Sequence, residues 1–294
     1  MFHQCNSLTS LDISNFNTEK VKKMRSMFGY CTSLTSIDVS HFKTPLLEDM
    51  AYMFERCYKL SSIYLLNFNT SNVKLMDNLF NGCSSLITLD ISNFSTSKVT
   101  WMGNMFRDCY LLTTLDLTNF DTSSVEYFYS MFDSCKSLIS LNLSNFHTEN
   151  AIRMEKMFNN CSKLKYLDIH NFDTSLITDM GWIFADCFSL ESLDITNFNT
   201  SKVKIMRIMF GNCNSLTTLD LTHFDTSSVT DMGWMFFGCR NLTSIDLSHF
   251  NTSSTTEFDC MFYGCISLKS LNITNFITSN ARNMTGMFSK CSSL

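Results

Sequence analysis

Residues 86–111 read LITLDISNFSTSKVTWMGNMFRDCYL, and this stretch decides the fold because it recurs along the chain every 26 residues without an insertion. Rows of 26 place Cys5, Cys31, Cys57, Cys83, Cys109, Cys135, Cys161, Cys187, Cys213, Cys239, Cys265 and Cys291 in one column, leaving only Cys260 outside it. Leucine stands three residues after each of these cysteines, from Leu8 to Leu294, and phenylalanine three residues before, from Phe2 to Phe288. All 19 methionines fall in two further columns, beginning at Met24 and Met1. An exact short period over a whole chain is the signature of a solenoid, in which no unit buries its apolar side alone and stacking supplies the core.

Each unit divides into two limbs. Leu8, Leu11 and Ile13 stand at L-x-x-L-x-L spacing; alternation turns Leu11 and Ile13 inward and Ser10, Asp12 and Ser14 outward, as in a short parallel strand. Val21, Met24, Met27, Phe28 and Cys31 form one stripe at helical spacing, so the second limb is expected to be a short α or 3-10 helix. Thr18 and its equivalents through Thr278 precede that stripe at the N-cap position, and Pro45 directly after Thr44 fits the first helical residue. The expected fold is a leucine-rich-repeat-type right-handed β/α solenoid of the α/β class. Residues 1–294 form one domain of eleven complete units with partial repeats at both ends and no distinct caps. Parallel strands line an inner face, and bulkier helices outside force curvature. Phe16 and its equivalents through Phe276 fill the turn from strand to second limb.

Composition narrows the function. The chain is 45% hydrophobic and 17% charged with a single proline, which suits a folded array and not a disordered one. A net charge of -5 without clustered Lys and Arg argues against nucleic acid. There is no membrane-spanning apolar run, and the first residues lack a signal peptide's basic and apolar regions.

The L-x-x-L-D-[IL]-S-N-F-x-T-S-x-V-x-x-M-x-x-M-F-x-x-C unit resembles the BspA-like leucine-rich repeat surface proteins, in their 26-residue subclass, over the entire chain. The resemblance implies a cell-surface or extracellular protein that adheres to host matrix or neighbouring cells, with a protein or glycan as its ligand. It identifies no particular ligand. The alternative is a structural segment of a self-stacking extracellular filament or coat, in which apolar end faces associate end to end.

No phosphate loop, nucleophile elbow or zinc-protease helix interrupts the array, so neither enzyme activity nor a cofactor is expected. The column cysteines form a line, not a tetrahedron, and parallel stacking disfavours the roughly 90° disulfide torsion, so they read as buried and reduced. Cys260 shares a variable column with Ser26, Tyr52, Asn78, Trp182 and Trp234 and is expected to be the reactive thiol. Asp12, Asp38, Asp90, Asp116, Asp168, Asp194, Asp220 and Asp246, with Asn142 and Asn272, form a ladder along the exposed strand face. At about 4.8 Å each adjacent ionised pair costs roughly 0.9 kcal/mol in water. Flanking Ser/Thr hydroxyls, raised pKa values or loosely bound Ca²⁺ or cationic ligands must offset that cost. His41, His223 and His249 stand in the column of Asn15, exchanging one hydrogen-bonding turn side chain for another.

Departures from the template carry the functional reading. Tyr64 and Leu66 replace the Asp and Ser columns in the third strand, and Tyr166 and His170 flank Asp168 in the seventh, giving two candidate ligand anchors. Trp182 and Trp234 are a third candidate on the opposite side.

Overall fold

The computed structural model describes all 294 residues. Eleven coils stack in register, coil 1 starting at Leu8 and each later coil 26 residues on, around a single core of 81 buried apolar residues. The strand limb contains six three-residue strands: β1 (Ser36–Asp38), β2 (Ser62–Tyr64), β3 (Ser140–Asn142), β4 (Tyr166–Asp168), β5 (Ser244–Asp246) and β6 (Ser270–Asn272). They pair in parallel as β1–β2, β3–β4 and β5–β6, each residue opposite the one 26 positions on.

The leucine-rich-repeat solenoid stands, but its second limb is not helical: the chain contains no α or 3-10 helix. Met27 N–H donates to the Met24 carbonyl and Cys31 N–H to Phe28, closing two successive turns, while the intervening N–H groups of Met24, Ser26, Phe28 and Tyr30 donate to Asp49, Ala51, Met53 and Glu55 of the next coil. A helix keeps every N–H within its own turns; here alternate donors leave the coil and knit it to its neighbour. Two residues per coil sit at positive φ, one column running from Ser26 to Gly286 and the other from Gln4 to Lys290. M-x-x-M-F-x-x-C spacing fits both geometries, because i to i−3 turn closure places Met24, Met27, Phe28 and Cys31 on one side just as a helix does. Strands pair at three of the ten coil junctions, and because the second limb is itself bonded directly from coil to coil, the wider outer spacing that helices would impose has no source.

The threonine column is likewise not a helix cap. Ten Thr hydroxyls, from Thr18 to Thr252, donate to the main-chain carbonyl 25 residues ahead at 2.8–3.0 Å, and several also accept the N–H of that same residue. Pro45 occupies the second position of a β-turn closed by Leu47 N–H to Thr44 O, where its fixed φ suits the turn and its missing donor costs nothing. Along the other edge of the core, the twelve rings from Phe2 to Phe288 stack in an unbroken row with centroids 5.4–5.9 Å apart and planes within 12°. Asn and His of the Asn15 column reach back to carbonyls of the preceding coil, Asn67 to Ser40 at 2.7 Å and His41 Nε2 to Ile13 at 2.9 Å.

Candidate functional site

On the strand face the aspartate column is built into the backbone. Its Oδ1 atoms accept the main-chain N–H two residues on, as in Ser40 to Asp38 at 2.8 Å and Thr118 to Asp116 at 3.0 Å, and at Asp90, Asp116, Asp194 and Asp220 also the Ser or Thr hydroxyl. These bonds favour the ionised form, so Asp12, Asp38, Asp90, Asp116, Asp194, Asp220 and Asp246 titrate below the usual carboxylate range. Of the offsets considered for the ladder, the raised pKa is therefore the wrong one, and the hydroxyls act as donors. No group of three His, Cys, Asp or Glu side chains converges as a metal site would require.

One coil lacks this turn. Tyr64 has no carboxylate to offer, and the Leu66 N–H forfeits the side-chain acceptor that its ten counterparts have. Both side chains project into solvent, Tyr64 at 57% and Leu66 at 74% exposure, while Leu65 between them is buried. A large apolar pair has displaced a stabilising turn here and gains no packing in return. Tyr166, at 58% exposure, borders an open depression of about 270 Å³ shared with Asn142 and Asp168. His170 is tied to Asp168, Nδ1 to Oδ1 at 2.6 Å. Tyr64 and Tyr166 lie on the same face four coils apart, so the structure does not bring the two anchors together.

Trp182 and Trp234 sit at positive-φ positions of the turn limb, not on a helix, and both are partly buried. Lys156 lies over the Trp182 ring at 5.5 Å; Trp234 donates Nε1–H to Asp259 at 2.5 Å and packs 4.7 Å from Phe237. These contacts give both indoles a structural role. Sequence reasoning missed another aromatic pair on this limb: Trp101, 38% exposed, with its ring 4.2 Å from that of the half-buried Tyr127 in the next coil and tilted 35° to it. The signal was present, since the two aromatics stand 26 residues apart in one column.

All thirteen cysteines are free thiols. Eleven column Sγ atoms, from Cys31 to Cys291, donate to the Phe carbonyl 29 residues back at 3.0–3.3 Å, and burial pushes the Cys57, Cys187 and Cys265 thiols up to about 12. Burial does not extend to the whole column: Cys5 is exposed and Cys291 half-buried. Cys260 is only half-exposed, in a turn and not a helix, and burial raises its thiol pKa, so Cys5 displaces it as the most accessible thiol.

A family model described as "Mycoplasma protein of unknown function, DUF285" matches residues 1–64, 61–166, 137–219 and 214–294. The chain belongs to this family. Its members' repeat and the BspA-like leucine-rich repeat coincide over the same residues here. Among solved structures it is similar to a leucine-rich cell surface protein from Faecalibacterium prausnitzii (19% identity, 96% of this chain and 78% of that one, TM-score 0.45). It is also similar to leucine-rich repeat proteins from Eubacterium ventriosum (12%, 92% and 80%, TM-score 0.42) and Bacteroides ovatus (21%, 86% and 76%, TM-score 0.34). A comparison with curated proteins gave no match. No helix is long and apolar enough to cross a membrane.

Proposed function

We propose that this chain is a non-enzymatic array displayed at a cell surface or outside the cell, which binds a protein or glycan ligand through its strand face. The observation that carries this reading is the Tyr64–Leu66 pair, where two exposed apolar side chains replace an Asp–Ser turn that every other coil keeps in Asp, Asn or His form. Interface energy concentrates in a few aromatic and apolar anchors, whereas hydrated Ser and Asp rows must be stripped of water at a cost. Tyr166 with His170 forms a second, weaker centre, and the acidic ladder between them favours a ligand with positive charge along its length.

The purified chain, applied to glycan and matrix-protein arrays, supplies a ligand whose affinity can then be measured. Tyr64→Asp with Leu66→Ser restores the turn, so stability holds or rises while affinity falls at least tenfold, about 1.4 kcal/mol. If affinity is unchanged and Trp182→Ala with Trp234→Ala abolishes it, the turn limb is the binding surface and the strand-face reading is wrong.

A further inference from the structure

The turn limb is a nearly continuous hydrogen-bonded rail. At nine of its ten coil junctions the Met-column N–H (or Phe, at Phe128 and Phe258) donates forward, as Met102 to Tyr127 at 3.0 Å, and a second N–H donates back, as Thr100 to Lys74 at 2.9 Å. Between coils 6 and 7 both bonds are missing: Met154 N–H does not reach Asp179 O, Thr178 N–H does not reach Ile152 O, and the bridge that pairs every other adjacent coil is absent between Arg153 and Asp179.

The side chains change at the same place. In coils 1–6 a belt of contacts crosses the limb: Arg25 over Tyr52 at 5.2 Å, Tyr129 lying across Gly103, and Arg153 over Tyr129 at 4.8 Å. In coils 8–10 a second brace spans Gly233, where Arg207 pairs with Asp259 at 2.8 Å and Asp231 at 3.2 Å. Across the break itself, only Lys156 over Trp182 reaches over. Two carboxylates, Glu155 and Asp179, instead lie near enough there to repel each other. Glu155 is paired with Arg153 on one oxygen and leaves Oε2 buried without a partner, and Asp179 spends Oδ1 on the Gly181 N–H at 2.7 Å. Desolvation, with Glu155 adding to it, pushes the Asp179 carboxyl above its ordinary range, although the Gly181 N–H, Arg153 and Lys156 act the other way.

We infer that the junction of Ile152–Met154 with Thr178–Met180 is a built-in flexure point, where the turn limb opens while the strand side stays paired. The strand side supplies the axis: β3 and β4 join these same two coils, and Leu143 N–H donates to Asp168 O at 3.1 Å. Below the break, Lys156, Phe158 and Asn160 still donate to coil 7, so the opening is confined to one edge of the limb. Tyr64 and Tyr166 fall on opposite sides of this junction, so flexure sets how the two anchors present to one ligand. That consequence rests on the strand-face reading; the opening itself does not.

Residue-resolved amide hydrogen exchange on the full chain tests it. The Met154 and Thr178 amides exchange at least tenfold faster than Met180 and Lys204, their counterparts at the next junction, while Leu143 and Lys165 on the strand side remain slow. Glu155→Ala with Asp179→Leu copies the Ala51 and Leu75 pair, whose junction is fully bonded, and brings Met154 and Thr178 to the rate of their counterparts. Equal protection of Met154 and Met180 in the unmodified chain overturns the inference, whether or not the variant folds. So does joint rapid exchange of Leu143 with Met154, which means the whole coil unfolds and nothing hinges.

Discussion

Replacing Thr122 separates a threonine ladder from a helix cap. Thr122 is fully buried; its hydroxyl donates to His147 O at 2.9 Å and accepts His147 N–H at 2.8 Å, and His147 has no other main-chain partner for either group. Thr122→Val keeps the shape and leaves a donor and an acceptor unmet. At about 1–3 kcal/mol for an unsatisfied buried group, discounted because His147 itself is exposed, the loss is about 2 kcal/mol. Thr122→Ser keeps the hydroxyl and gives up one methyl, about 1 kcal/mol. Thr122→Asp decides the matter, because aspartate is as good as or better than threonine at an N-cap but here would bring a charge into the core. Urea unfolding should rank the variants wild type, Ser, Val, Asp, with the aspartate loss exceeding 3 kcal/mol, roughly the cost of an unpaired buried charge. An aspartate variant as stable as wild type refutes the ladder.

Two further outcomes follow from the same contacts. Native thiol labelling followed by mass mapping should find Cys5 fastest, Cys260 and Cys291 slower, and the ten buried column cysteines unreactive until unfolding; ten rapidly labelled column thiols would contradict the packing. The strand-face aspartates titrate below their ordinary value when folded, so their contribution is complete above the ordinary carboxylate pKa and is lost as pH falls through the lowered one. Asp116→Asn should therefore flatten the acid side of the stability profile while keeping the turn, as Asn142 does in accepting Ser144 N–H at 2.9 Å. A steeper acid dependence in this variant would mean the carboxylates do not stabilise the turn.

The period, the core columns and the strand limb were legible because burial selects residues by face, and 26-residue rows expose that selection directly. The second limb was misread because apolar spacing is shared by a helix and by turns stacked across coils. Finer signals separated them. The threonine column never exchanges with Ser, Asn or Asp, as a true N-cap would tolerate, because only its methyl and hydroxyl together fit a buried ladder. The column from Gln4 to Lys290 holds Gly, Asn, Asp or Ser at eight of twelve positions, the residues suited to positive φ. The exposure of Tyr64, Leu66 and Tyr166 followed from template violation alone, since nothing in the repeat could cover them. Trp182 and Trp234 were harder, because their partners Lys156 and Asp259 lie 25 or 26 residues away in variable columns.

The assignments on the turn limb, those of Trp101, Trp182, Trp234 and Cys260 among them, depend on that limb being a row of inter-coil turns, because its geometry decides which of their side chains face outward. Far-ultraviolet circular dichroism of the purified chain tests it most directly. A row of stacked turns gives a spectrum of β and turn character without the paired minima of α-helix; paired helical minima, at the strength expected of one short helix per coil, are incompatible with it.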